Sequence, residues 1–329
     1  MEGLIFSVKG LHHPEGLVVA YLRYVPDPDG ERVRGPRHYR RIYDIEETDE
    51  FLRKHHPVYL NPIEGKDLTL QSVPTERISR VYSPTKRLQE IVEIPSSELE
   101  ESTAEFASAL SSDSGVLLSS LGVSGSVLIG LAGPSSDVDI VVYGLDAGRK
   151  VYGALSRLRE KGTWIRPYDS GSVMGVVSNR WGDTGFDLVK FVPSETRKVL
   201  HGRVGDRDYF VRLVPNPLEI EEEVVSRPLE RAVLRATVVD SGCSIYTPCT
   251  YFVEDCSTQG EGRGPEVTRL VSYRGKFTEQ AREGEVVEAR GTLEEVEYRD
   301  HTTLRLMMGG RGDYLIPAGI LDRQPFFLS

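Results

Sequence analysis

Cysteine is scarce in this chain: Cys243, Cys249 and Cys256 are the only three in 329 residues. An odd, closely spaced set argues against a disulfide framework. The spacings are wider than a CxxC knuckle, and the nearest downstream histidine, His301, is distant in sequence, so a zinc site is not expected. The opening residues MEGLIFSVKG offer neither a positive n-region nor a long apolar stretch, so no secretory signal is read and the expected compartment is the cytoplasm. No apolar run approaches the roughly 18 residues that a membrane helix requires. Positive charge is also short, with 40 Lys and Arg against 50 Asp and Glu and a net charge of −10. Such a balance disfavours a broad non-specific nucleic-acid surface, which rests on many Lys and Arg contacts to phosphate, but leaves room for a local basic patch. What remains is globular: 39% hydrophobic and 27% charged residues, in a length that suits two or three domains.

Turn chemistry and periodicity divide the chain into an N-terminal β-containing domain (1–94), a central α/β domain (95–227) and a β-rich domain (228–329). In the first, IFSVKG and GLVVAYLRYV read as strands, and EETDEFLRKHH reads as a helix opened by acids and closed by bases. PTKRLQEIVEI and SSELEESTAEFASALSS follow as helices, the second capped by Ser96 or Ser97. From about residue 115 to 213, strand-like and helix-like segments alternate. VDIVVYG reads as a strand, GRKVYGALSRLREKG as an amphipathic helix, and SVMGVVSNRW with GFDLVKFV as a β pair turning at GDTG. NPLEIEEEVVSRP reads as a linker or terminal helix. Beyond Pro228, five β-rich runs separated by turns fit a small barrel of the OB type. The Gly-rich run GEGRG is the one segment of low complexity.

Chemistry concentrates in VSGSVLIGLAGPSSDVDIVVYG, residues 123–144. In a strand, Asp137 and Asp139 project from one face, while Val138, Ile140 and Val142 face the other way. Two carboxylates held that close repel by something on the order of 4 kcal/mol at an effective dielectric near 20. A divalent cation between them removes that cost, and oxygen-only donors point to Mg²⁺ or Mn²⁺. A third acid, Asp187, sits among Phe186, Leu188 and Val189 in what is read as the neighbouring strand. Three acids from two strands can hold two metals, and Asp187 would then help deprotonate an acceptor hydroxyl. Upstream, Gly125 and Ser126 open a short turn whose free N–H groups suit phosphate, with Gly130 beyond it and Ser136 before the first acid. Neither a Walker A loop nor a dinucleotide fingerprint is present. Arg180, placed just before the turn into the Asp187 segment, is a further candidate for a triphosphate contact.

Gly-Ser, three residues, Gly, five residues, then Ser-Asp-x-Asp, followed by a hydrophobic-Asp-hydrophobic segment, resembles the DNA polymerase β-like nucleotidyltransferase superfamily. About one hundred residues carry the resemblance. It implies an α+β chain with a nucleotidyltransferase core, flanked here by the N-terminal β-containing domain and the C-terminal OB-like β-barrel. It further implies that Gly125 and Ser126 hold the phosphates of an NTP and that Asp137, Asp139 and Asp187 bind two Mg²⁺. The acceptor would be RNA, such as a tRNA, or a protein or small molecule, with no membrane involved. The whole chain also resembles an uncharacterised archaeal group of predicted nucleotidyltransferases. One departure is the apolar VLI between Ser126 and Gly130, where many relatives carry small or basic residues.

Other features read as structural. The pairs His12-His13 and His55-His56 have no ligand partners at helical spacing, and ArgGlyAsp at 311–313 reads as a turn before a strand. Tyr39, Tyr43, Tyr246, Tyr251 and Phe252 suit core packing better than base stacking. The alternative function is a non-enzymatic nucleotide- or RNA-binding protein on the same scaffold, which would have no need of three mutually repelling carboxylates.

Overall fold

Alternation along the first strands builds a sheet with one packed face. The computed structural model describes residues 2–62, 69–162, 164–169, 171–258 and 266–321, and the GEGRG run lies outside them. The N-terminal unit comprises β1 (Ile5–Val8), β2 (Leu17–Pro26), β3 (Arg32–Arg34), β4 (Arg37–Arg41), α1 (Ile45–His55), β5 (Leu60–Pro62) and β6 (Thr69–Pro74). Its strand order is β3-β4-β2-β6-β5, with β1 also on β2. Ala20, Leu22 and Tyr24 of β2 turn inward, which leaves Tyr21 and Arg23 on the opposite face. Asp44 caps α1 by accepting from the Glu47 N–H, and Arg53, Lys54 and His55 close it, as the charge order predicts.

The central unit begins with α2 (Pro84–Glu93) and α3 (Glu98–Ser114), the latter capped by Ser97 and ended by Gly115 at φ +70°. Then come β7 (Leu121–Val123), the single turn α4 (Gly125–Leu128), β8 (Val138–Tyr143), α5 (Leu145–Glu160), β9 (Ile165–Arg166), α6 (Val173–Trp181), α7 (Val192–Arg197), β10 (His201–Val204) and β11 (Arg207–Val214). The sheet runs β7-β8-β11-β10-β9, and β8 and β11 are parallel. Val138, Ile140 and Val142, with Tyr209, Val211 and Leu213, form the face that packs against the helices. Leu88 and Ile91 of α2 join the same core, so α2 packs with the central sheet although the expected first domain ran to residue 94.

Two sequence expectations fail here. The segments SVMGVVSNRW and GFDLVKFV are not a β pair: the first is α6, and the second is a loop entering a 3₁₀ turn, Leu188–Phe191, that leads into α7. Val173, Val177 and Trp181 recur every fourth residue and are buried together, a helical stripe that outweighs the β-branched composition. Likewise NPLEIEEEVVSRP is neither linker nor helix through its end, because the last long strand system starts at Val225 and runs through Pro228. Pro228 is tolerated because the pairing shifts register between it and Arg231.

That system comprises β12 (Val225–Asp240), β13 (Cys249–Thr258), β14 (Val267–Ser272), β15 (Val286–Glu297), β16 (Thr302–Met307) and β17 (Tyr314–Pro317), followed by α8 (Ala318–Leu321). β12 pairs with both β13 and β15, so the path β12-β13-β14-β16-β15 returns to β12 and closes. β14 and β16 are parallel, and β17 adds outside β15. Its interior is shared, since Tyr168, Val173, Val177, Trp181 and Phe191 of the central segment pack into it beside Leu270, Phe277 and Leu306. The chain is thus a mixed α/β architecture with several β-sheets. Among the described residues no helix is long and apolar enough to cross a membrane.

The cysteines are core residues in this scheme. Cys249 and Cys256 are buried, and burial pushes their thiols up, to about 12 and about 11. Tyr39, Tyr246 and Tyr251 are likewise buried, whereas Tyr43 stays exposed.

Candidate functional site

The parallel pairing of β8 with β11 fixes which side chains meet. Val138 lies opposite Tyr209 and Asp139 opposite Phe210, so both strands show the same alternation to the same side. One face is apolar and packed. The other carries Asp137 and Asp139 from β8 and its N-terminal approach, and Asp208, Phe210 and Arg212 from β11. Asp137 is exposed at the mouth of the site, and Asp139 and Asp208 are half-buried.

The electrostatics follow from this crowding. Burial first, then the neighbouring Asp137 charge, pushes the Asp139 carboxyl up to about 6, against the opposing pull of Arg212 and Arg41. Asp137 is also raised, by surrounding protein and by Asp208, with Arg41, Arg180 and Arg32 acting the other way. Asp208 gives one oxygen, Oδ1, to Arg203 Nη1 at 2.8 Å. Three carboxylates on one face, with only oxygen donors among them, could hold a hard cation.

Asp187, the third acid expected from sequence, does not join them. It caps the 3₁₀ turn, accepts from the Val189 N–H at 3.1 Å and is exposed, while its neighbours Phe186 and Leu188 pack onto the interior of the closed sheet. The hydrophobic-Asp-hydrophobic pattern fits a strand and a 3₁₀ turn equally well, so it could not locate the acid. Asp208 was missed, although RDYFVRLV carries a clear period-two signal, with Tyr209, Val211 and Leu213 inward and Asp208, Phe210 and Arg212 outward.

The Gly-Ser turn is where its sequence order put it, beside the acids. Gly125 adopts φ +61°, and a Cβ built there would overlap Asp139 Oδ2, so only glycine lets the backbone come this close. The serines behave differently from expectation. Ser126 Oγ donates to Ser136 Oγ at 3.0 Å, and Ser136 Oγ accepts from Gly133 N at 2.9 Å and Arg32 Nη1 at 3.1 Å. Both hydroxyls are buried and fasten the 130–136 loop. Arg207 Nη1 adds a bond to Pro134 O at 2.9 Å. Gly130, at φ +67°, supplies the turn that brings Leu131 N to Ser126 O at 2.9 Å.

Arg180 is not in a hairpin. It ends α6, donates to Glu195 Oε2, and its Nη2 meets His201 Nδ1 at 2.6 Å. Its charge still reaches Asp137, but its hydrogen bonds hold the α6–α7 junction. Arg41 of β4 is closer to the acids in effect, since both Asp137 and Asp139 feel it. Its guanidinium lies over the Tyr43 ring at 4.4 Å, and its buried Nε has no hydrogen-bond partner among the described residues.

A second set of potential metal ligands lies elsewhere. Glu221, Asp300 and His301 have ligand atoms within 4.8 Å of one another, all exposed, and His301 Nδ1 already meets Asp300 Oδ1 at 2.8 Å. The oxygens of Asp137, Asp139 and Asp208 are spread more widely than that.

No family model matches the chain, and no solved structure matches it. It is similar to the uncharacterized protein MJ1086 of Methanocaldococcus jannaschii, at 29% identity over 309 residues that cover 90% of this chain and 88% of the relative. A match of that extent reaches all three strand systems.

Proposed function

We propose that the chain is a metal-dependent nucleotidyltransferase that moves a nucleoside monophosphate from an NTP to an acceptor hydroxyl. The observation that carries this reading is the row Asp137, Asp139 and Asp208 on one face of a parallel strand pair, with the Gly125 backbone against Asp139. A polymerase β-like core uses such a row, and Asp208 takes the place that Asp187 held in the sequence reading. The order β12-β13-β14-β16-β15-β12, with the parallel contact between its third and fifth strands, supports an OB-type barrel beside that core.

Asp137, Asp139 and Asp208 would hold Mg²⁺ or Mn²⁺, which when bound supplies positive charge to the phosphoryl group in flight. The protein's own part is positioning. Arg203 fixes one oxygen of Asp208 and leaves the other to take the proton of the acceptor hydroxyl. The acceptor oxygen bonds to the α-phosphorus, the bond from that phosphorus to the bridging oxygen breaks, and pyrophosphate leaves. Arg32, through Ser136, holds the loop before Asp137 in place.

The test is transfer of label. Purified protein is incubated with each α-labelled NTP, Mg²⁺ or Mn²⁺, and pooled cellular RNA and protein. Label should enter an acceptor, with release of pyrophosphate, only with the intact acids. Asp208→Asn should lose at least about 100-fold, the order of effect expected of a catalytic acid or base, and Asp187→Asn should stay within about twofold. Equal loss in both variants, or no metal-dependent transfer from any nucleotide, would move the reading to a nucleotide- or RNA-binding protein.

A further inference from the structure

Cations from all three strand systems meet on the Asp139 side of the acid row. Arg212 lies opposite Val141, one step beyond Asp139 on the same face, with its guanidinium over the Phe210 ring at 4.8 Å. Gly275 packs against that ring from the barrel side, where an added Cβ would sit 2.7 Å from Phe210 Cζ, and so brings the adjacent Arg274 to the same place. From the N-terminal sheet come Lys9, just after β1, and Arg23 of β2. Among the described residues none of these four is in an ion pair. Arg212 reaches Thr247 Oγ1 at 3.4 Å, Arg274 the Gly309 carbonyl at 2.9 Å and Arg23 the Ile42 carbonyl at 3.4 Å.

They press on one another. Burial, then Arg212, Arg23 and Arg274, push the Lys9 ammonium down to about 7, and Arg23 is lowered by burial and by Arg41. Arg212 has the Asp139 carboxylate as an opposing charge, but among the described residues Lys9, Arg23 and Arg274 have no ion-pair partner, so that side lacks the negative charge that would offset their mutual repulsion. A bound anion supplies it. The other end of the acid row has its own cations, Arg32 and Arg207, on the Ser136 loop. In-line displacement places the attacking and leaving oxygens on opposite sides of the α-phosphorus. Two basic ends flanking one acid row therefore suit two phosphate-bearing reactants.

We propose that Lys9, Arg23, Arg212 and Arg274 seat a phosphate group of the acceptor, so that the second substrate is a phosphorylated molecule, either an RNA strand or a small sugar phosphate. This rests on the transferase reading for the identity of the other reactant.

Binding to the full chain tests it without turnover. The probes are a 5′-phosphorylated single-stranded RNA, the same RNA with a 5′-hydroxyl, ribose 5-phosphate, and the α,β-methylene analogue of ATP with Mg²⁺. Lys9→Gln with Arg23→Gln, and separately the exposed Arg274→Gln, should each weaken a phosphorylated probe at least tenfold and move the ATP analogue less than twofold. If RNA is the source, the double variant should also lower the slope of log affinity against log salt by about 1.4, or about 0.7 for each lost contact to a single strand. Weakening confined to ribose 5-phosphate assigns the seat to a small molecule. Unchanged binding of the phosphorylated probes in both variants overturns the proposal, as does no binding of either phosphorylated probe by the parent protein. A parallel tenfold loss of the ATP analogue overturns it too, because the cluster would then belong to the nucleotide. Failure of the transferase reading is read separately, as binding of the analogue that neither Mg²⁺ nor Asp137→Asn with Asp139→Asn alters. Unchanged thermal midpoints show that the variants are folded.

Discussion

Asp139 carries a tension that a stability measurement can read. Its folded carboxyl is raised to about 6, above the ordinary value of 3.8. The folded state therefore binds the proton more tightly than the unfolded chain does, and this contribution is full below about 3.8 and lost as pH rises through about 6. Asp139→Asn should thus stabilise the metal-free protein at pH 8 by about 1–2 kcal/mol, discounted for partial solvent contact from about 1.4 kcal/mol per unit. The gain should vanish near pH 4. Melting curves in EDTA across that range check it, and a variant that is less stable than the parent at pH 8 would refute it. That Asp137, just before β8, and Asp139, within it, share a face was legible from the two-residue repeat of an extended chain. Asp208 was legible in principle through the alternation of β11, but a run of sequence does not say which strand lies beside which.

At the scale of elements, α6 and α7 depend on one buried carboxylate. Glu195 accepts from Trp181 Nε1 at 2.8 Å, Lys198 Nζ at 2.9 Å and Arg180. Burial alone would raise its carboxyl, but the Lys198 and Arg180 charges outweigh that and hold it below its usual range. Lys198 is buried too, and its Nζ also donates to the Lys276 carbonyl at 2.6 Å. Lys198→Met would leave a buried carboxylate short of a partner, at a cost of about 3–5 kcal/mol. A denaturant melt should show that loss, and a change under about 1 kcal/mol would refute the assignment. The amphipathic helices α1, α2, α3 and α5 were readable from caps and charge order. The helix α6 was not, because Val173, Val176 and Val177 suggest a strand by composition and are helical only by spacing.

For the molecule as a whole, the central sheet and the closed β-sheet are not separable pieces. Glu279, from the loop between β14 and β15, accepts from Val199 N at 2.7 Å, Leu200 N at 2.9 Å and the Tyr152 hydroxyl at 2.9 Å. Arg197 pairs with Glu285 at 2.7 Å. A chain cut after Val224 should therefore lack a cooperative thermal transition, whereas a free-standing core would melt sharply. The change to β-rich sequence near 228 was legible and matches the long strands that begin with β12, but the interlock was not, since packing between distant segments leaves no periodic trace in either.

Trp181 lies stacked on Phe191 at 4.6 Å and edge-on to Phe277 at 5.3 Å, a central-segment side chain inside the interior of another unit. The closed sheet is consequently not an accessory that can be removed without uncovering the side chains that fill it. Grafting such a sheet from a relative would require Tyr168, Val173, Val177, Trp181 and Phe191 to travel with it.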